Sequence, residues 1–148
     1  MPAFGRGRRS AWHGDELRLD EGRERRGGGG SFHGVDGLRV TGRVFALNGP
    51  VKDGGGLYLH RCRRVVVSGC VFVGNFAKWG GGLYLERCED VVVEHNTFAL
   101  NAARRDGGAI SVSHSARVVL RHNRVLLNVA LRSAPAVDVH LSIDVRQV

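Results

Sequence analysis

The stretch FVGNFAKWGGGLYL, residues 72–85, connects a Phe-x-x-Asn motif to a run of three glycines and an alternating apolar segment. Three other segments follow the same pattern. Residues 45–59 and 98–112 each begin with FALN, and residues 125–139 begin with VLLN. The asparagines that close these motifs follow one another after 27, 26 and 27 residues. A fixed spacing of this length is typical of a repeat protein, in which each unit stacks on the next.

Each repeat contains short apolar runs that read as β-strands. In the second repeat they are LYL at 57–59, VVV at 65–67 and CVFV at 70–73. Alternating or β-branched residues between short polar segments are typical of strands. Three strands in about 27 residues fit one turn of a parallel β-helix, with coils about 4.8 Å apart. The expected coils are 27–53, 54–79, 80–106 and 107–133, with a partial coil at 134–148.

One segment also has a pattern that is compatible with a helix. Residues 117–132, RVVLRHNRVLLNVALR, would pass for an amphipathic helix if they stood alone. The aligned segment of the second repeat carries Gly69, Gly74 and consecutive valines, which are unfavourable inside helices. We therefore predict an all-β chain, a single-stranded parallel β-helix of about four coils.

Equivalent residues of successive coils should form columns. Leu57, Leu83 and Ile110 are expected to point inward in one such column, and phenylalanines to form an aromatic column. Each asparagine should sit at a turn, where its amide can donate to one neighbour and accept from the other. The predicted ladder residues are Asn48, Asn75, Asn101 and Asn128, with Asn96 and Asn123 at the preceding turn.

The repeat resembles the right-handed β-helix of the pectin-lyase-like superfamily. The motif FxxN followed by GGA[ILV] is also similar to the repeats of chlamydial-type polymorphic outer-membrane proteins; here it reads FALN, FVGN and FALN, with GGGL, GGGL and GGAI. The resemblance covers residues 27–139. It implies the right-handed fold, and it implies that a working face would lie along the first strand. That superfamily contains lyases, hydrolases, epimerases and adhesins, so the resemblance leaves the function open.

Outward positions on the first strand are therefore the candidates for ligand binding. Tyr58 and Tyr84 are equivalent residues of adjacent coils and offer an aromatic platform on which a sugar could lie, but the favoured interpretation is that the stacked tyrosines simply cover the sheet. The other outward residues of this strand are Ser31, Ser111 and Asp138. The predicted ligand-binding residues are Tyr58, Tyr84, Ser111 and Asp138.

The sequence gives no catalytic assignment and no cofactor. His60 aligned with Glu86 is the one pair considered for proton transfer, with an ordinary surface pair as the alternative. No cluster of acids is expected on the first-strand face, because Asp53 and Asp106 lie two coils apart. No metal site is predicted, since the aligned pair of His95 and His122 supplies only two ligands and there is no CxxC spacing.

Charged and thiol side chains also fall into columns. Arg64, Asp90, Arg117 and Asp144 alternate in sign, and the aligned pairs Arg63–Glu89 and Glu94–Arg121 are opposite in charge. Such pairs favour the correct coil register. Cys62 and Cys88 are equivalent residues, so they are interpreted as buried turn fillers, with a disulfide as the alternative.

Composition and charge indicate which residues are disordered and which partners and locations are unfavoured. The 148-residue chain has a net charge of +8, and its Arg- and Gly-rich residues 1–26 are expected to be disordered. They lack the apolar core of a signal peptide, and no run approaches a membrane span. Acids mixed with the arginines make nucleic acid an unfavoured partner. The last coil is incomplete, which suggests a fragment of a longer protein and end-to-end self-association.

The leading hypothesis is a non-catalytic β-helix segment of a surface or secreted protein, used for adhesion or for contact with a polysaccharide or host-cell surface. Two alternatives remain. One is a piece of a polysaccharide lyase, hydrolase or epimerase whose catalytic coils lie elsewhere, and the other is a basic module that binds polyanions. The localisation stays unknown, and it would be extracellular or at the cell surface if the segment belongs to a longer exported protein.

Overall fold

The computed structural model describes residues 28–132, 136–140 and 142–148. The predicted disordered extension, residues 1–26, lies outside the described residues. Every helix or strand element within them is a β-strand, and every strand pair is parallel. The predicted all-β parallel solenoid of about four coils is confirmed.

Each complete coil contributes four strands. The first coil contains β1 (Gly30–His33), β2 (Arg39–Thr41), β3 (Val44–Ala46) and β4 (Val51–Asp53). The second contains β5 (Leu57–His60), β6 (Arg63–Ser68), β7 (Val71–Val73) and β8 (Phe76–Trp79). The third contains β9 (Leu83–Glu86), β10 (Glu89–Glu94), β11 (Thr97–Ala99) and β12 (Ala102–Asp106). The last two turns contain β13 (Ile110–Ser113), β14 (Ala116–Arg121), β15 (Arg124–Leu126), β16 (Val129–Ala130), β17 (Val137–His140) and β18 (Ile143–Gln147).

The strands stack into four sheets that surround the core. The first sheet has the order β1-β5-β9-β13-β17, and the second has β2-β6-β10-β14-β18. The third sheet is β3-β7-β11-β15, and the fourth is β4-β8-β12-β16. The fourth sheet was missed by the sequence analysis, which counted three strands in each repeat. Its members read VKD, FAKW, AARRD and VA, and they share no apolar pattern by which a strand could be recognised.

The register agrees with the predicted columns. Leu57 pairs with Leu83, and Leu83 with Ile110, and all three side chains are buried in the core. The rings of Phe45, Phe72 and Phe98 stack with centroids 4.8 and 4.6 Å apart and with interplanar angles of 12° and 5°. Each buried side chain of this size stabilises the fold by about 2 kcal/mol, but only where a neighbouring coil covers it.

The asparagines form two ladders inside the turns. In the first ladder, Asn48 Nδ2 donates to Asn75 Oδ1 at 2.8 Å, and Asn101 Nδ2 donates to Asn128 Oδ1 at 2.9 Å. Asn75 joins these two pairs through its own bond to Asn101. In the second ladder, Asn96 Nδ2 donates to Asn123 Oδ1 at 3.1 Å. The ladders satisfy buried amides at turns where no sheet bonds are available.

The turns also contain columns of residues with a left-handed backbone. Arg61 and Arg87 have φ values of 57° and 58°, and His95 and His122 have values of 56° and 54°. A non-glycine residue is uncommon in this region of φ and costs about 1–2 kcal/mol. The stacking of each turn on the next holds the conformation in place, because the same φ recurs at equivalent positions.

The glycine runs before the first strands are required because neighbouring coils approach each other closely there. A Cβ built on Gly55 would lie 2.3 Å from the carbonyl oxygen of Gly81, and one on Gly81 would lie 2.3 Å from that of Gly108. The backbone of each coil therefore passes too close to the next for any side chain. The preceding glycine, Gly54, instead has a φ of 59°.

The outer charges pair across coils. Arg63 lies 3.7 Å from Glu89, and Arg121 Nε lies 2.8 Å from Glu94 Oε1, as the alignment predicts. Arg117 contacts Asp90 at 2.6 Å. The ion pair of Arg64 differs from the alternating column, because its 2.6 Å contact is to Asp36 of the preceding coil. Asp144 contacts Arg146 of its own strand, 3.0 Å away, whereas the column predicts Arg117.

The three cysteines, Cys62, Cys70 and Cys88, are free and buried. Apolar side chains of the later strands, among them Leu126 and Val129, are exposed, and the expected end-to-end association stays a prediction. The described part of the chain contains no apolar helix of membrane-spanning length.

Candidate functional site

The outward face of the first sheet is buried at its two tyrosines, which agrees with the interpretation that these side chains cover the sheet. Tyr58 is 2% exposed and Tyr84 is 7% exposed, although both point away from the core. Their ring centroids are 5.6 Å apart, at an angle of 36°. Ser31 and Ser111, which share this face, are each 1% exposed. A glycan could therefore not lie flat along the tyrosine column.

A cleft of about 300 Å³ lies beside the covered tyrosines. Residues at the ends of β4 and β8 and on the first sheet line it together. The residues that line it come from all four complete coils and the partial one: Lys52, Asp53, Trp79, Tyr84, Glu86, Ser111, Ser113, His114 and Asp138. Three of the four predicted ligand-binding residues, Tyr84, Ser111 and Asp138, border this cleft, whereas Tyr58 does not line it.

Three carboxylates line the cleft, although the sequence predicted no cluster of acids on this face. Asp53 ends β4 and is 4% exposed, Glu86 ends β9, and Asp138 lies on β17. The pattern was missed because these residues occupy different positions within their repeats. They do not form a metal site, since no group of three potential ligands occurs in residues 28–132, 136–140 and 142–148.

Trp79 provides the aromatic wall of the cleft. It pairs in register with Asp53 on one side and with Asp106 on the other, which places these two acids two coils apart as expected. The guanidinium carbon of Arg105 lies 5.0 Å from the ring centroid of Trp79, a distance typical of a cation–π contact. The indole is therefore held between neighbours, and it presents a fixed surface to the cleft.

Glu86 is oriented by a buried tyrosine. The hydroxyl of Tyr58 donates a hydrogen bond to Glu86 Oε1. His60 is the in-register partner of Glu86, but among the described residues the carboxylate makes its hydrogen bond with Tyr58 and not with His60. The pair considered for proton transfer therefore lacks the direct contact that such a role would use.

His60 belongs to a histidine pair at the edge of the site. Its Nδ1 lies 3.4 Å from Nδ1 of His33, and Ser31 Oγ lies 2.9 Å from Nε2 of His33. Burial lowers the pKa of His60, and the nearby charge of Glu86 opposes that effect. A second pair, His95 and His122, stacks with ring centroids 5.3 Å apart.

A serine and a histidine complete the polar lining of the cleft. Ser113 Oγ lies 2.7 Å from Nδ1 of His114; Ser113 is the last residue of the first-sheet strand β13, and His114 follows it. Together with Lys52 they give the cleft donors as well as acceptors. The sequence analysis singled out none of these three residues, because serine and lysine carry no motif and His114 has no aligned histidine.

A family model described as a right handed beta helix region matches residues 21–138. This match covers most of the described coils, and it agrees with the parallel stacking and with the resemblance found in the repeats. A search of the curated proteins and a search of the solved structures each found nothing that matches. The family match defines the architecture, and the chemistry of the cleft must be argued from its own residues.

Proposed function

The chain belongs to the right-handed β-helix family, and on that premise we propose that it is a non-catalytic repeat segment of a surface or secreted protein that contacts a glycan. The contact site would be the cleft beside the first sheet. The β-helix would serve as a rigid scaffold, because every strand around the cleft is fixed by its neighbours in the stack. Rigid support of this kind lowers the entropic cost of binding.

One observation carries the proposal, namely the combination of the half-buried Trp79 with three carboxylates in the lining of one cleft. Aromatic rings offer apolar faces to the C–H groups of a sugar. Ionised carboxylates accept hydrogen bonds from hydroxyls, and charge-assisted bonds are about twice as strong as neutral ones. The cleft volume is at the low end for small-ligand sites, so it suits a short part of a glycan.

The charged residues of the cleft limit the class of glycan that it can bind. The lining contains three acidic side chains, Asp53, Glu86 and Asp138, and one lysine, Lys52, whereas the whole chain carries a net charge of +8. A polyuronate would bring further negative charge to these carboxylates and be repelled. Neutral or amino sugars therefore fit the proposal better than acidic ones.

Binding can be measured by tryptophan fluorescence and calorimetry. The chain has two tryptophans, so a Trp12→Phe background leaves Trp79 as the reporter of the cleft. Oligosaccharides of β-glucan, chitosan and polygalacturonate would be titrated separately. We expect a fluorescence change with one of the first two, and about tenfold weaker binding in Asp138→Asn, since a hydrogen bond to a charged group contributes about 1.5–3 kcal/mol.

The matched control is Asp144→Asn, which removes an exposed acid from the second sheet, outside the cleft. It should bind like the parent chain. The proposal would be wrong if no neutral or amino oligosaccharide produced heat or a fluorescence change. It would also be wrong if Asp138→Asn and the parent bound equally well.

A second candidate function is cleavage of a polysaccharide, and the three carboxylates favour it. Two carboxyl groups on opposite sides of a glycosidic bond can act as acid and base. Release of reducing ends from the same polysaccharides, or a new ultraviolet absorbance from an unsaturated product, would be followed over time. Activity that Asp53→Asn or Glu86→Gln abolishes would replace the binding proposal with an enzymatic one.

A further inference from the structure

Six large apolar side chains are exposed on the outward face of the third sheet and in the turn that follows it. The strands of this sheet alternate, so that Phe45 and its equivalents point inward while the residues on either side of them point outward. Val71 pairs with Val44, and Leu126 takes the outward position at the end of β15. This surface is called the apolar band, and it consists of Val44, Leu47, Val71, Leu100, Leu126 and Leu127.

The leucines of the turn combine exposure with an unfavourable backbone conformation. Leu47, Leu100 and Leu127 each precede a ladder asparagine, and their φ values are 56°, 57° and 54°. Their exposed fractions are 81%, 58% and 78%. Glycine adopts this conformation without strain, and Gly74 does so at the equivalent position of the second coil. A left-handed leucine in water costs stability and gains little, so its benefit is expected to lie outside the isolated chain.

The apolar band is an uncharged surface on a strongly basic chain. In the described strands β3, β7, β11 and β15, the outward positions are apolar apart from Thr97 and Arg124. The whole chain carries a net charge of +8, so two copies repel each other through their basic surfaces. On the apolar band two copies can meet without bringing like charges together.

We propose that the apolar band is the interface between two copies of this chain, packed side by side about a two-fold axis. The same patch would meet itself, as in the two-fold dimers that are the commonest oligomers. This interface does not involve the glycan cleft. It also differs from end-to-end association, because it leaves the strand edges at the ends of the stack unused.

The area of the band fits a stable dimer. At their exposed fractions the six side chains present roughly 600 Å² of apolar surface, which is the upper limit for the largest patch on a typical monomer. Because interfaces between identical copies are about 65% apolar, a band of this size corresponds to about 900 Å² of buried surface per copy. A standard stable interface buries about 800 Å² per partner.

The left-handed turn allows a variant that separates association from folding. Asparagine tolerates a positive φ better than leucine does, so Leu47→Asn combined with Leu100→Asn should preserve the fold of each coil. The same change places two amides in the proposed interface, where they would lose water without gaining partners. Association should therefore weaken while the folded chain remains.

Arg61 and Arg87 provide the matched control. Both are exposed, lie in the turn between the first and second sheets, and have φ values of 57° and 58°. Arg61→Asn combined with Arg87→Asn places asparagine at two left-handed positions, as the leucine variant does, but outside the apolar band. This control removes positive charge and should not weaken association.

Sedimentation equilibrium of the full 148-residue chain would measure association. We expect the parent chain to form a dimer, and the dissociation constant to rise about 100-fold or more in the Leu47 and Leu100 double variant. The Arg61 and Arg87 double variant should stay a dimer. Circular dichroism, and the urea midpoint of each chain at a dilution where it is monomeric, should show that the leucine variant is folded at least as stably as the parent.

A parent chain that stays monomeric at its highest soluble concentration would overturn the proposal, which is the outcome expected if another partner covers the band. A dimer that persists unchanged in the Leu47 and Leu100 variant would overturn it as well, because end-to-end association would give that result. Loss of the dimer in the arginine control would show that the effect is not specific to the apolar band, and would also contradict the proposed interface.

Discussion

Oδ1 of Asn101 accepts two hydrogen bonds from Asn75, one from the side-chain Nδ2 at 2.9 Å and one from the backbone nitrogen at 3.0 Å. Asn101 in turn donates its own Nδ2 to the backbone oxygen of Phe72 at 2.9 Å. One buried amide therefore satisfies groups in two other parts of the stack. The ladder stabilises the contact between coils as well as the turn in which each asparagine lies.

We predict that Asn101→Ala lowers the free energy of unfolding by about 2–4 kcal/mol. The change leaves the buried backbone nitrogen of Asn75 and the oxygen of Phe72 without their partners, and each such group costs about 1–3 kcal/mol. Urea denaturation followed by circular dichroism would measure the loss.

Asn48→Ala is the matched control for the ladder. Its backbone nitrogen would still donate to Asn75 Oδ1, so the variant loses only the side-chain bond. The expected loss is about 1 kcal/mol or less. Equal losses in the two variants would contradict the view that buried, unsatisfied groups cause the effect.

We also predict that Gly81→Ala destabilises the chain by about 3 kcal/mol or more. The new Cβ would lie 2.3 Å from the oxygen of Gly108 and 2.4 Å from that of Ala102, and backbone atoms cannot give way as a flexible side chain can. The midpoint of urea denaturation, or a failure to fold, would show this effect.

The control for Gly81 is Gly42→Asn. Gly42 has a φ of 62°, but a Cβ there has no neighbour within 4 Å. His95 adopts a left-handed conformation in the same series of turns, and asparagine tolerates it better than most residues. We expect a change of less than about 1 kcal/mol. A large loss here would show that left-handed geometry, and not crowding, makes the glycines necessary.

The core of the fold was predictable because it depends on equivalence between repeats. Leu57, Leu83 and Ile110 are recognisable as one column from their spacing alone, and so are the ladder asparagines. The fourth strand of each coil was not predictable in the same way. The segments that begin at Val51 and Phe76 differ in length and polarity, so the alignment of the repeats shows no shared strand pattern there.

The candidate site was predictable only in part, for a related reason. Tyr84 and Asp138 could be placed on the outward face of the first sheet from alternation within a strand. The cleft that they line together with Asp53 and Trp79 could not be predicted, because the latter two lie on the fourth sheet, which the repeat pattern did not reveal. The left-handed turns were only partly recognisable from the sequence. Gly34 of the first coil occupies the position of Arg61 in the second, and both have a positive φ. A single glycine did not suffice to predict an arginine in that conformation.

The ion pair of Glu94 and Arg121 should contribute to stability in a pH-dependent manner. The hydrogen bond from Arg121 lowers the pKa of the Glu94 carboxyl below its model-peptide value. A lowered folded pKa stabilises the native state above the unfolded pKa, and the contribution is lost as the pH falls through the folded pKa. Arg121→Gln should therefore lower the melting temperature near neutral pH, with a difference that shrinks in strong acid.

Thermal unfolding of the parent and of Arg121→Gln across this pH range would check the prediction. Arg39→Gln is the control, because Arg39 is an exposed arginine of the second sheet with no ion pair among the described residues. Its difference from the parent should not follow the titration of a carboxyl. A constant difference for Arg121→Gln at all pH values would contradict an electrostatic origin.

The three thiols should be unreactive in the folded chain. Cys62 and Cys88 are 0% exposed and Cys70 is 1% exposed. The hydrogen bond with Cys62, together with burial, raises the pKa of Cys88, and burial raises that of Cys70. The same hydrogen bond lowers the pKa of Cys62, so the protection of that thiol depends on its burial alone. Because the thiolate is the reactive form, a disulfide reagent such as dithionitrobenzoate should label these residues only as fast as the coils open.

Labelling in native buffer and in urea would measure this protection, and Cys88→Ser tests its structural basis. Ser115 occupies the equivalent position, where its Oγ accepts from the Cys88 nitrogen and donates to the Ser113 oxygen. A serine at position 88 can donate in the same way to the Glu86 oxygen, which now accepts from the Cys88 thiol. We expect Cys88→Ser to fold with a loss of about 1 kcal/mol or less and to leave two protected thiols. Rapid native labelling of the parent chain would contradict the stacking of these coils, since a thiol enclosed between two rungs reaches solvent only when they separate.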